Sequence, residues 1–165
     1  MSAPDGAGRT VMVRPVGPGE LATAIAIRTE VFVDEQHVPP ELEADEHDAQ
    51  AVHLLAWYGG HPVGTARLVR EQPGFAGLPD AFGPVAHLGR IAVRATVRGR
   101  GVGAALVHAL HERAWADGLS VAYLGAQEHA VGFYRRLGYA VFGAPFDDAG
   151  IVHRHMWRPI TGPGT

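Results

Sequence analysis

The chain has 165 residues, a net charge of −3 and 47% apolar residues, which suits one globular domain with a sizeable core. It contains no cysteine, and all fourteen of its basic residues are arginine. That excludes a disulfide framework, a thiolate zinc site, a cysteinyl intermediate, a P-loop lysine and a lysine Schiff base. The small negative charge argues against nucleic-acid binding, and no apolar run approaches the ~20 residues of a membrane span.

Residues 1–9 read as a disordered tail with neither the basic start nor the apolar core of a signal peptide, which predicts cytoplasmic residence. Residues 10–160 form the expected single domain. Thr10–Val16 alternates as a strand does, and Gly17-Pro18-Gly19 breaks it. From Glu20 to about Phe32, Leu21, Ile25, Arg28 and Phe32 fall near one helical face, and Val38-Pro39-Pro40 ends the run. Glu41, Glu43, Asp45, Glu46 and Asp48 then crowd an acidic loop, which reads first as a solvated face. Ala51–Tyr58 and His61–Val69 are strands of a hairpin about Gly59-Gly60. Residues 72–86, rich in Gly and Pro, read as a loop, and His87–Val93 as a strand. A helix starting at Val102 should end near Asp117-Gly118, with His108, His111 and Glu112 on its solvated face. Val121–Ala126 is an unbroken apolar strand suited to a sheet centre. A short helix from His129 to Leu137 is closed by Gly138, two strands follow (Tyr139–Phe142 and Ile151–Trp157), and residues 161–165 are a tail. The order predicts an α/β architecture: a mixed sheet with helices on both faces. Its sheet edges suit a homodimer.

The most informative stretch joins the fourth strand to the long helix: Arg98-Gly99-Arg100-Gly101-Val102-Gly103-Ala104. A glycine-rich turn that opens a helix leaves backbone N–H groups pointing outward at the positive end of the helix dipole. Such a turn binds phosphate, and glycines let a pyrophosphate approach the backbone. Arg98 and Arg100 add fixed positive charge. The plain alternative is a tight connection, but three glycines and two arginines in six residues exceed what a connection needs. Gly99 to Ala104 also satisfies Gly-x-Gly-x-x-Ala, yet Arg94–Arg98 separate it from the strand, unlike a dinucleotide-binding turn.

This order and turn resemble the GNAT superfamily of acyl-CoA N-acyltransferases over nearly the whole chain. Arg98 to Gly103 is similar to that family's Arg/Gln-x-x-Gly-x-Gly/Ala pyrophosphate signature. Phe133-Tyr134-Arg135-Arg136-Leu137-Gly138-Tyr139 is similar to its second signature, aromatic-Tyr-x-x-x-Gly-Phe/Tyr. Arg28-Thr-Glu-Val-Phe-Val-Asp-Glu-Gln36, Gly64-Thr-Ala-Arg-Leu68, Leu88–Val93, Ala126–His129 and Gly150–His153 resemble its ElaA-like branch. The resemblance implies a GNAT-like fold whose fourth and fifth strands splay. The wedge would lie between Ile91–Val93 and Val121–Ala126. It implies acetyl-CoA as donor and a small-molecule amine or peptide N-terminus as acceptor. The cofactor side would comprise Ile91, Ala92 and Val93, then Arg98, Gly99, Arg100, Gly101, Val102, Gly103 and Ala104, with Gln127, Phe133, Tyr134 and Arg136.

Thioester aminolysis expels a thiolate, and the family role of Tyr134 is to protonate it; the plain alternative is a half-buried packing residue. The amides of Ile91–Val93 can polarise a thioester carbonyl if the splay leaves them unpaired. His153, Glu128 or a water chain is the candidate base for the amine proton, and His153 is equally readable as a surface histidine. Glu128-His129 can also cap the short helix. Glu35 and Gln36 are candidates to line the acceptor site. Arg28 either joins them, contacting an acceptor carboxylate, or pairs with the acidic loop. His153 and His155 lack a third ligand, so no metal is expected. Serine occurs only at Ser2 and Ser120, away from any nucleophile elbow, which with the missing cysteine and lysine favours direct transfer between two bound substrates or the use of a carboxylate or His. The competing readings are a CoA-binding sensor without turnover and a dinucleotide oxidoreductase.

Overall fold

A computed structural model describes residues 10–162. The tail expected over 1–9, and residues 163–165 of the second, lie outside the described residues. The strands are β1 (Val11–Pro15), β2 (Val52–Tyr58), β3 (His61–Glu71), β4 (Val85–Val93), β5 (Val121–Gln127), β6 (Ala140–Asp148) and β7 (Ile151–Pro159). The helices are α1 (Leu21–Arg28), α2 (Pro40–Glu43), α3 (Val102–Ala116) and α4 (Val131–Arg136). The strands form one mixed sheet in the order β1-β2-β3-β4-β5-β7-β6, and β4–β5 is the parallel pair.

Strand alternation divides the core into two layers. On one face Leu54, Ala56, Ala66 and Leu68 pack under Val102, Leu106 and Leu110 of α3. On the other, Leu55 and Ala92 pack under Ala24, Ile27 and Val31. The α3 helix lies so close to β3 that a Cβ on Gly64 would stand 3.0 Å from Val102 Cγ1 and 3.2 Å from the Ala92 carbonyl.

Several boundaries differ from the sequence expectation for local reasons. The first helix continues past Arg28 as a π-helical segment over Thr29–Glu35. The acidic loop holds α2, because Pro40 starts that helix at its first turn, where no N–H is needed. A 3₁₀ turn over Glu46–Ala49 follows, closed by a capping box between Asp45 and Asp48. Val85 and Ala86, expected in a loop, are buried in β4. The β6 strand runs on to Asp148, since an edge strand with a register shift tolerates Pro145. His111, expected on a solvated face, is 9% exposed and shares a 2.6 Å hydrogen bond with the Tyr139 hydroxyl. Burial pushes its pKa down to about 4, so the imidazole is neutral at pH 7.

Candidate functional site

The parallel strands β4 and β5 are paired only at Ala86–Ala122 and His87–Tyr123. Beyond that rung they part, and a wedge opens between Leu88–Val93 and Leu124–Gln127. Residues 121–123, expected to border it, lie outside its opening: Ala122 and Tyr123 belong to the closed rung. On its other side β4 carries a bulge. Thr65 opposes Ala92 but Arg67 opposes Gly89, and Arg90 takes up the extra residue at φ +49°. The Arg94 amide donates to the Val63 carbonyl at 2.8 Å. Strand alternation therefore turns the Ala92 amide towards β3 and those of Ile91 and Val93 towards the wedge, where β5 has withdrawn.

The glycine turn sits at the wide end of this wedge. Gly99 and Gly101 hold φ of +80° and +81°, and a Cβ at either would meet nothing within 4 Å. That is backbone only glycine adopts readily, facing open space. Gly101 is the N-cap of α3 and supplies no side-chain cap, so the first-turn amides, Val102, Gly103 and Ala104, have no capping partner. The ring of Phe133 lies on Gly103, 3.3 Å from where a Cβ would stand. Phe133 thus packs α4 against the start of α3. Arg98 donates from Nε to the Val93 carbonyl at 3.0 Å and forms an ion pair with Glu35 at 2.8 Å. Arg100 reaches the Tyr58 hydroxyl at 3.2 Å, and Arg136 is exposed at the end of α4. Unpaired amides, two arginines and a glycine cradle form a donor set that fits a diphosphate. A 3₁₀ turn over Ala95–Val97 separates β4 from the glycines, unlike a dinucleotide-binding turn.

A cavity of about 490 Å³ occupies the foot of the wedge. Tyr134 is on its wall, 9% exposed, and burial holds the phenol's pKa well above the usual range. Among the described residues its hydroxyl has no hydrogen-bond partner. His153 also lines the cavity, with Nδ1 2.7 Å from the Ile151 carbonyl. A carbonyl can only accept, so Nδ1 is the donor there and Nε2 is the ring nitrogen left for other partners. Gln36 and Gln127 are both on the wall and hydrogen-bond to each other at 2.8 Å, tying the end of the π segment to β5.

Three candidates stand elsewhere. Glu128 is exposed and off the cavity wall, and neither it nor His129 caps α4 with its side chain. Glu35 is also off the wall, held by Arg98 at the glycine turn. Arg28 is 1% exposed and committed to the acidic segment: it binds the Glu43 carboxylate and carbonyl and both oxygens of Asp48, the latter at 2.8 and 3.1 Å. Of its two readings, the structure shows the pairing with the acidic loop.

Sequence reasoning missed two parts of this cavity. One is a shared ion network: Arg67 binds Asp45 at 2.7 Å and Asp48 at 3.0 Å, and Arg90 binds Asp45 at 3.1 Å. The other is a set of rings. His87 lines the cavity with Nδ1 3.2 Å from Glu71, and burial pushes its pKa down. Its ring lies 5.1 Å from that of Tyr123, whose hydroxyl is 2.6 Å from His155 Nδ1. Burial raises the Tyr123 pKa to about 12. The Phe146 ring lies on β5 because residue 125 is glycine; a Cβ there would stand 2.9 Å from it. Only the hairpin register could have brought Glu71 to His87. Among the described residues no three His, Asp or Glu gather as a metal site, and no helix is long and apolar enough to cross a membrane.

Residues 13–158 match the family model of the acetyltransferase (GNAT) domain. The chain is 38% identical over 140 residues to YjcF of Bacillus subtilis, described as an uncharacterized N-acetyltransferase, covering 84% of this chain and 92% of that protein. An acyl-CoA N-acyltransferase structure from Pseudomonas aeruginosa superposes with a TM-score of 0.72 at 28% identity, covering 92% of this chain and 99% of that one. Escherichia coli ElaA does so with a TM-score of 0.70 at 25% identity, covering 91% and 99%.

Proposed function

Because this chain belongs to the GNAT acetyltransferase family, we propose that it transfers an acetyl group from acetyl-CoA to a primary amine by direct attack in a ternary complex. The acceptor is a small-molecule amine or a peptide N-terminus, and the reaction belongs to the cytoplasm. The observation that carries this reading is the alignment of a diphosphate-shaped glycine turn, a wedge with unpaired amides and a cavity holding a buried phenol. Acyl-CoA supplies an activated thioester when bound. The amides of Val102–Ala104, with Gly99, Gly101 and the guanidinium groups of Arg98 and Arg100, hold its diphosphate.

The remaining steps use this chain's own groups. The amides of Ile91 and Val93 donate to the thioester carbonyl as its oxygen gains charge. Tyr134 keeps its proton at neutral pH and delivers it to the departing sulfur. In the neutral ring, Nε2 of His153 has its lone pair available for the amine proton, and Nε2 of His87, behind which Glu71 holds Nδ1, is equally equipped. Glu128, exposed outside the cavity, is not assigned that step. The test is release of CoA from acetyl-CoA across a panel of primary amines. Amine-dependent release supports transfer, whereas tight CoA binding without release from any amine would leave a CoA-binding protein without turnover.

A further inference from the structure

The walls of the acceptor cavity specify more than a primary amine. Arg67 and Arg90 are the arginines on its wall, and both are engaged. Arg67, 5% exposed, is held by Asp45 and Asp48, and Arg90 by Asp45 and the Glu43 carbonyl. The carboxylates they hold are themselves tied down: Asp48 and Glu43 also bind the buried Arg28. An acceptor carboxylate or phosphate would have to break this interlocked set to gain a partner, leaving half-buried aspartates uncompensated. Asp148, by contrast, lies on the wall, exposed, with no ion pair among the described residues. Rings form another part of the wall, and Phe146 shares a strand with Asp148. Phe75 stands 5.4 Å from Tyr123 and 5.0 Å from His87, and Phe146 stands 5.5 Å from His153.

Resting on the acyl-transfer reading, we infer that the acceptor is a monocationic amine on an uncharged, ring-bearing or apolar body, without a carboxylate or phosphate group. The ring faces take the body, and a ring face also attracts an ammonium group. Asp148 draws the ammonium to the mouth, while the engaged arginines offer an anionic group no free guanidinium.

The test is CoA release with acetyl-CoA and three matched pairs: phenethylamine and phenylalanine, tyramine and tyrosine, tryptamine and tryptophan. The expected result is kcat/KM about 100-fold or more in favour of the amine within each pair, the scale of an unpaired charge in a desolvated site. Asp148→Arg places an unengaged cation at the mouth and should shrink that ratio about tenfold or more, mainly through KM. Equal or better turnover of the amino acids overturns the assignment, and so does an unchanged ratio in Asp148→Arg. No release from any of the six compounds, with acetyl-CoA still binding by calorimetry, also overturns it. Failure of acetyl-CoA to bind overturns the acyl-transfer reading beneath it.

Discussion

Two side chains at opposite ends of the wedge carry separable predictions. Tyr134 is buried with its proton held on, which suits a group that gives a proton only when a thiolate forms beside it. Tyr134→Phe should lower kcat by ~10²-fold with the dissociation constant for CoA unchanged, read by steady-state kinetics and calorimetry. Unchanged turnover would return Tyr134 to a packing role. At the turn, Glu35 holds one of the two arginines assigned to the diphosphate. The pair is partly exposed, so it is worth about 0.2–1 kcal/mol. Glu35→Gln should therefore tighten CoA binding about 1.4- to 5-fold, and weaker binding would place Glu35 on the ligand instead. Tyr134 was legible because it stands in a signature. The partner of Glu35 was not, since Glu35 and Arg98 lie far apart in sequence, whereas pairing with the acidic loop was one of the two readings of Arg28.

The elements that position the site were legible to different degrees. Periodicity and turn residues marked all seven strands, because Gly59-Gly60 and the Gly-rich breaks fix where alternation stops. They did not mark α2, whose Pro40 reads as a terminator and acts as a first-turn residue, nor the π segment, whose residues 29–35 differ from α-helix only in register. Strand splay was invisible to composition: β4 and β5 carry ordinary strand sequences, and only the resemblance implied that they part. The acidic segment reads as a solvated face but functions as a buried clamp. Arg28 fastens it to the first helix, and Arg67 and Arg90 fasten it to the central strands. Arg28→Met strands the buried Glu43 without its partner and should cost about 3–5 kcal/mol in urea unfolding. Arg28→Lys should recover only part of that, because an ammonium cannot reproduce the fork that holds both oxygens of Asp48. A loss under 1 kcal/mol in Arg28→Met would show that the clamp does not hold the fold.

Across the molecule, pH should act on stability in two windows. Below its ordinary value of 6.5 the unfolded His111 takes up a proton, whereas the folded, buried ring resists down to about 4. Its contribution is complete above pH 6.5 and declines as pH falls towards 4, by roughly 3 kcal/mol in all. His87 acts in the same direction. Asp45 and Asp48, held below the usual carboxylate range by Arg67 and Arg28, add stability that is present above about pH 4 and lost only as the pH drops further. Urea unfolding at pH 7, 5.5 and 4.5 should show the first decline, and His111→Gln should flatten it. On the proposed function, the sheet, the splay and the glycine turn together serve at this scale to hold CoA by its diphosphate. The direct test is the calorimetric dissociation constant of CoA for the native chain and for Arg98→Ala/Arg100→Ala. Loss of two charge-assisted contacts at about 1.5–3 kcal/mol each predicts binding weaker by at least ~100-fold. Undiminished affinity in the double variant would contradict the account.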